Sequence, residues 1–407
     1  MAKKRVVIVG GGSGGDAAAF GLRKKGFDGE VVILSADGDR PYDRPYLSKE
    51  YLRGEVELPK VYLHDESEYT KQAIELELGT RVTAASLEER SVTTDRGRQL
   101  SFDTLVLSLG GTPRQLPGIP AAANVHTLRS LRDSSNLRRS ITSGSRMLLV
   151  GAGFIGAEVA ASARKLGKEV LIVEAAPVPL ERALGKDVGE IYAEIHRDHG
   201  VDLRASTQIK EWHSTGDQMI GVTLSDGRRE EVDVVLIAVG ITPNLELPTA
   251  MGLPIDGGGV RADGSLRASE DVYVAGDIAL HDHPVHGPIR VEHWEVAKGQ
   301  GRGIASSIAD RPAPYTKIPY FWSDQYDVSL EYRGHASGEA HMVWRGDRSG
   351  RRFSVFYLRG GRVHAVLSMN DKETGAAGAG LIESQREVDE RTLADLSVDL
   401  QRLGAAG

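Results

Sequence analysis

The chain has 407 residues, enough for two or three domains, and 40% hydrophobic with 26% charged residues is an ordinary globular balance. Its formal net charge of −7 argues against a surface that binds nucleic acid as a whole. There is no cysteine, which removes disulfides, thiolate nucleophiles, redox-active thiol pairs and Cys-ligated zinc or iron–sulfur centres in one step.

The chain opens Met1-Ala2-Lys3-Lys4-Arg5 and runs straight into Val6-Val7-Ile8-Val9. That apolar run is too short for a secretory signal, and no run reaches the ~18–20 apolar residues of a membrane span. The expected address is the cytoplasm, with no membrane or nucleic-acid partner.

RVVIVGGGSGGDAAA, beginning at Arg5, is an apolar strand followed by glycines at 10, 12 and 15 and an alanine-rich helix start. Such spacing serves a tight turn, backbone approach to a diphosphate and close helix–strand packing, with the diphosphate at the helix N-terminus. The next strand, VVILSAD, ends at Asp37, where a carboxylate can accept hydrogen bonds from a ribose diol. The same unit returns at Arg146 as RMLLVGAGFIGAEVA, with Gly151, Gly153 and Gly156, then EVLIVE ending at Glu174. Two such units imply two dinucleotides, one bound FAD and one exchangeable NADH. Glu174 disfavours a 2′-phosphate by repulsion, and Ala175-Ala176-Pro177 offer no arginine to neutralise one, so NADH is expected over NADPH.

Between the units lies RPYDRPYLSKEYL, residues 40–52, with two prolines, three tyrosines and Lys49. Further on, TLVLSLG ends at Gly110 and VVLIAVG at Gly240, turns where the chain passes between domains. VYVAGD places Asp277 at a strand end, where it either caps a following helix or holds a polyol. His281, His283 and His286 are expected in an exposed loop and not at a metal; no metal site is expected. Pro312, Pro314 and Pro319 mark a boundary, after which SVFYLRGGRVHAVLSM reads as a hairpin around a Gly-Gly turn.

The double fingerprint, SLGGTPR, VVLIAVGITPN, VYVAGDIA, RVEHWEVAKGQGR and PYFWSDQYDVSLEYRG, in this order and over nearly the whole chain, resemble the ferredoxin reductases of bacterial oxygenase systems. Putidaredoxin reductase, rubredoxin reductase and apoptosis-inducing-factor-like proteins are the relatives this resemblance brings with it. The resemblance implies an α/β fold with two Rossmann-like, glutathione-reductase-like dinucleotide domains and a C-terminal α+β domain. A discontinuous FAD domain would cover 1–112 and 245–316, an NAD domain 113–244, and a C-terminal interface domain 317–407. On FAD it implies Gly10, Gly12, Ser13, Gly15, Asp37, Arg44, Lys49, Arg129, Asp277, His293, Trp294 and Trp322. On NAD it implies Gly151, Gly153, Phe154, Ile155, Gly156, Glu158, Glu174 and Gly240.

Lys49 and Glu158 would pair near the flavin as the catalytic residues; the plain alternative is an interdomain salt bridge. Tyr46 replaces the second proline of the family's Arg-Pro-Pro-Leu-Ser-Lys element, which predicts a looser turn before Lys49. The implied activity passes a hydride from NADH to FAD and then single electrons to an acidic [2Fe-2S] ferredoxin, which feeds an oxygenase. The alternatives are an apoptosis-inducing-factor-like reductase of quinones and dyes, and a redox-sensing interaction protein. Arginines 345, 348, 351, 352, 359 and 362 form a candidate docking face, weighed equally against charge placed on hairpin edges for solubility. Monomer and homodimer both stay open.

Overall fold

The computed structural model describes residues 3–336 and 340–405. Two compact units form: one from Met1–Tyr42, Leu63–Gly111 and Pro243–Gly407, the other from Asp43–Tyr62 and Thr112–Thr242.

In the first unit the strand Arg5–Val9 lies at the centre of a six-stranded sheet. It pairs in parallel with Glu30–Leu34 on one side and Thr104–Leu107 on the other. Because side chains alternate across a strand, its residues feed two cores. Val6 and Ile8 pack with Ala18, Leu22, Ile304 and Ala305. Val7 and Val9 pack with Val92, Leu100, Val260 and Ile278. A strand buried on both faces reads as a continuous apolar run, as RVVIV does. The helices Ser13–Lys24 and Trp294–Ala309 meet through small residues: a Cβ at Gly301 would run into the backbone carbonyl of Gly14, and one at Gly21 into Ala305.

The same unit ends in a five-stranded antiparallel sheet, in the order Tyr320–Gln325, Val328–Gly334, Arg362–Met369, Arg352–Arg359, His341–Asp347. Gly360 and Gly361 make its central hairpin turn, both at positive φ (55° and 71°), which two β-carbon-free residues adopt without strain. The helix Lys372–Ser384 closes the sheet's core through Leu381 and Ile382 against Phe356, Val363 and Val366.

The second unit repeats the plan. Arg146–Val150 is flanked in parallel by Glu169–Val173 and Val234–Ile237 within a five-stranded sheet. The repeat extends to single hydrogen bonds. Gly10 N–H donates to Leu34 and Gly151 N–H to Val173, each at 2.9 Å; Ser108 N–H donates to Val9 and Ala238 N–H to Val150, each at 2.8 Å.

The segment Asp43–Tyr62, expected within the first half of the split FAD domain, packs with the second unit. Ser134 Oγ donates to the Leu47 carbonyl at 2.8 Å, and Tyr51 Oη lies 2.9 Å from Ser135 Oγ. No helix among the described residues is long and apolar enough to cross a membrane.

Candidate functional sites

In the first unit the glycine turn follows the carboxyl end of the central strand. Gly10 has φ +116°, and a Cβ there would strike the Ser108 carbonyl; one at Gly15 would strike the carbonyl of Gly10. A Cβ at Gly12 would meet nothing within 4 Å, so that side of the turn is open. Gly12 is also the N-cap of the helix Ser13–Lys24 and supplies no side-chain cap, leaving the first-turn N–H groups directed outward. The arrangement fits a diphosphate.

The remaining first-unit residues lie around this turn or at its borders. Ser13 Oγ donates to the Trp294 carbonyl at 3.4 Å, which brings the N-termini of the two packed helices together. Trp294 stands edge-on to Trp322, centroids 5.7 Å apart and planes at 89°, and His293 lies 6.0 Å from the Trp322 ring. Trp294 Nε1 is buried with no hydrogen-bond partner among the described residues, a donor suited to a cofactor acceptor. Asp37 accepts from Tyr42 Oη at 2.8 Å and from Asp39 N–H at 3.2 Å. Tyr42, buried at 5% exposure, orients this acid and was not singled out from the sequence. Asp277 is buried in a short 3-10 turn, Gly276–Ile278, and a strand, not a helix, follows it. The helix-capping alternative therefore has no helix to cap.

The second unit holds Arg44, Lys49 and Arg129 together with the second glycine turn. Gly151 has φ +101°, a Cβ at Gly156 would meet the Gly151 carbonyl, and Gly153 is open in the same way as Gly12. Phe154 and Ile155 begin the helix Phe154–Lys165, with Ile155 42% exposed at its N-terminus. Glu174 spans the turn: Oε2 accepts from Ala152 N–H at 2.6 Å and Oε1 from Ala176 N–H at 2.7 Å. Arg204, on the adjacent strand, could approach a 2′-phosphate, but its guanidinium is held by Asp202 at 2.5 Å and faces Glu230 at 3.8 Å. Gly240, at φ +96°, accepts from Arg114 N–H at 3.0 Å at the end of the neighbouring strand.

Lys49 and Glu158 are 6% and 5% exposed, and Lys49 Nζ lies 3.3 Å from Glu158 Oε2. Arg44 opens the 3-10 helix Arg44–Ser48, which delivers Lys49. The turn before Lys49 is not loosened by Tyr46. Tyr46 N–H donates to the Asp43 carbonyl at 3.3 Å, a bond proline cannot make, and its own carbonyl takes Lys49 N–H at 3.1 Å. Arg129 precedes the capping box Ser130/Asp133, with its N–H on Asp133 Oδ2 at 3.0 Å.

The histidines differ from expectation. His281 and His283 lie on the strand Ala279–His283 at 1% and 2% exposure, not in an exposed loop: the strand pairs on both sides with Gly259–Ala262 and Gly287–Ile289, Tyr315 and Gln300 lie at His281, and the C-terminal sheet of the same unit brings His335 and His364 near His286. Among the described residues no group of three or more His, Cys, Asp or Glu is placed to hold a metal. Arg345 also departs from the docking reading. It is buried at 8% exposure and donates to the carbonyls of Leu393, Asp395, Leu396 and Val398.

Residues 4–301 match the pyridine nucleotide-disulphide oxidoreductase family, and residues 320–404 match the reductase C-terminal family. The chain is 35% identical to putidaredoxin reductase of Pseudomonas putida, over 100% of this chain and 98% of that protein. It is 37% identical to the ferredoxin reductase subunit of the 5,5′-dehydrodivanillate O-demethylase of Sphingobium, over 98% of each. The crystal structure of the covalent putidaredoxin reductase–putidaredoxin complex matches with a TM-score of 0.95 and 35% identity, over 100% of this chain and 99% of that one. With two glycine cradles, two acids just past strand ends and no cysteine for thiol chemistry, the chain belongs to the pyridine nucleotide-disulphide oxidoreductase family, in the group of ferredoxin reductases of oxygenase systems.

Proposed function

We propose that this protein is an NADH:ferredoxin reductase that carries reducing equivalents through FAD to a [2Fe-2S] ferredoxin serving an oxygenase. The observation that carries the reading is the duplicated cradle: an open glycine turn, an uncapped helix N-terminus and a strand-end acid in each unit. When bound, FAD takes a hydride from NADH and gives electrons up singly, which suits an iron–sulfur acceptor.

The residues' part is to bind, orient and set charge. Gly10, Gly12, Ser13 and Gly15 hold the FAD diphosphate, Asp37 the adenosine ribose and Asp277 the ribityl chain, with Arg44, Arg129, His293, Trp294 and Trp322 along the flavin. Gly151, Gly153, Phe154, Ile155, Gly156 and Gly240 receive NADH, with Glu174 on its ribose. Lys49 and Glu158 fix the charge beside the reacting ring. Residues 1–112 and 245–316 act as the FAD domain, 113–244 as the NAD domain and 317–407 as the interface domain. The cytoplasm, where NADH and reduced ferredoxins are available, is the compartment this activity requires.

An acidic ferredoxin needs a basic face, and Arg348, Arg352, Arg359 and Arg362 are exposed on the C-terminal sheet and its turns. The test is direct. Purified protein carries bound flavin and reduces cytochrome c with NADH only when a [2Fe-2S] ferredoxin is added. NADH-driven reduction of quinones or ferricyanide with no ferredoxin-dependent activity overturns the reading.

A further inference from the structure

Ser48 stands immediately before Lys49 and is 2% exposed. Its Oγ lies 2.5 Å from Glu158 Oε2, the same oxygen that faces Lys49 Nζ at 3.3 Å. An ionised carboxylate only accepts, so the Ser48 hydroxyl donates, and one carboxylate oxygen receives both a hydroxyl and an ammonium proton. The other side of Ser48 is tied as well. Ser162 Oγ donates to the Ser48 carbonyl at 2.7 Å, and Arg53 Nη1 donates to Ser162 Oγ at 3.0 Å. Glu158 and Ser162 are four residues apart on the helix Phe154–Lys165, hence on one face. That face holds Ser48 from both ends, by its hydroxyl and by its carbonyl.

We propose that Ser48 is a positioning residue for the Lys49–Glu158 pair: its hydroxyl holds the Glu158 carboxylate as an acceptor at Lys49, and the Ser162–Ser48 carbonyl bond fixes the backbone that delivers Lys49. The proposal rests on the reading that this pair acts in flavin reduction. A lysine ammonium has three donors on a flexible stem, and burial alone does not choose its direction. The second donor on Oε2 removes the carboxylate's freedom to rotate away. The charge therefore stays compensated and at one place while the nucleotide arrives and leaves.

The experiment compares Ser48→Ala, Ser48→Thr, Ser162→Ala and Glu158→Gln holoenzymes. Pre-steady-state reduction by NADH is expected to fall about tenfold in Ser48→Ala, the loss of one charge-assisted hydrogen bond, with the Kd for NAD+ changed less than about twofold. Ser48→Thr, which keeps the hydroxyl, restores most of the rate. Independently of activity, the Glu158 side-chain carboxyl 13C resonance, assigned by its disappearance in Glu158→Gln, is expected to move in Ser48→Ala. It is expected to move in the same direction but less in Ser162→Ala, and to stay near its place in Ser48→Thr. A Glu158 resonance unmoved by Ser48→Ala overturns the positioning role. A Glu158→Gln enzyme that reduces at the unaltered rate overturns instead the catalytic reading of the pair, so the two failures are distinguishable.

Discussion

His283 and His286 stack with ring centroids 4.8 Å apart and planes at 29°. His281 lies 6.0 Å from His283, and His335 and His364 each lie 6.2 Å from His286. Each ring is held in its neutral form by burial, with the neighbouring histidines and the Arg359 and Arg362 guanidiniums adding repulsion against protonation. His283 makes the neutral form necessary, since Nδ1 accepts from Val285 N–H at 3.2 Å. Tyr315, 5.7 Å from His281, and Gln300, whose Nε2 lies 3.5 Å from His281 Nδ1, bring no charge to offset it, and the Asp282 carboxylate offsets it only in part.

Acid stability follows from this cluster. Burial pushes His281 down to about 4 and His286 down to about 3. Below about pH 6.5, the ordinary histidine value, the unfolded chain binds protons that the folded chain refuses. The stabilisation is whole above that pH and is lost as pH falls toward 4. His281 alone accounts for about 2 kcal/mol lost between pH 7.5 and 5. Urea midpoints at pH 7.5 and 5.0 should show a smaller acid loss for His281→Gln than for the unaltered protein; equal losses contradict the assignment.

Lys49→Met leaves Glu158 as an uncompensated buried carboxylate, and the expected cost is about 3–5 kcal/mol. The Lys49→Met/Glu158→Gln double variant should recover most of that in denaturant titration, because neither charge is then stranded. Flavin reduction by NADH should be slowed in both. Slowed reduction in the single variant together with an unaltered rate in the double one would place the defect in stability and not in the chemistry.

The proposed role of Glu174 in nucleotide choice can be tested at that residue. With one carboxylate oxygen on Ala152 N–H in the glycine turn and the other on Ala176 N–H just past the strand, Glu174→Ala should weaken NADH binding about tenfold through loss of charge-assisted bonds and of turn geometry. Stopped-flow reduction with the two nucleotides should give NADH the faster rate in the unaltered protein. Faster reduction by NADPH contradicts the repulsion argument.

Arg345 separates a structural arginine from a docking one. Arg345→Met strands four backbone carbonyls and should cost at least about 3 kcal/mol in thermal or urea unfolding. Arg352→Glu, on an exposed side chain, should leave stability within about 0.5 kcal/mol while raising the KM for an acidic ferredoxin and flattening its salt dependence. A KM unchanged by Arg352→Glu moves the docking face elsewhere.

The two dinucleotide units were legible from RVVIVGGGSGG and RMLLVGAGFIG because the constraint there is local. Gly10 and Gly15 meet carbonyls where a β-carbon would go, and that requirement is written in consecutive residues. The Gly360-Gly361 hairpin was legible for the same reason: the turn's positive φ angles select its residues.

The histidines were misjudged from sequence because Pro284 makes the segment look like a loop, whereas the chain there forms a strand paired with Gly259–Ala262 and Gly287–Ile289 and set beside Gln300 and Tyr315, neighbours that only folding brings together. Arg345 looked like one more charge in a basic run, since only folding brings the carbonyls of 393–398 to its guanidinium. The pairing of Lys49 with Glu158 was anticipated by resemblance. The Ser48–Glu158 and Ser162–Ser48 bonds that hold it needed tertiary structure, because hydrogen-bond geometry between residues more than 100 positions apart leaves no local pattern. By itself the sequence determined the fold, the two cradles and the absence of thiol chemistry, all set by local sterics or by composition. Tertiary structure decided which polar groups are buried together, and therefore which charges are held in place and which remain available to a partner.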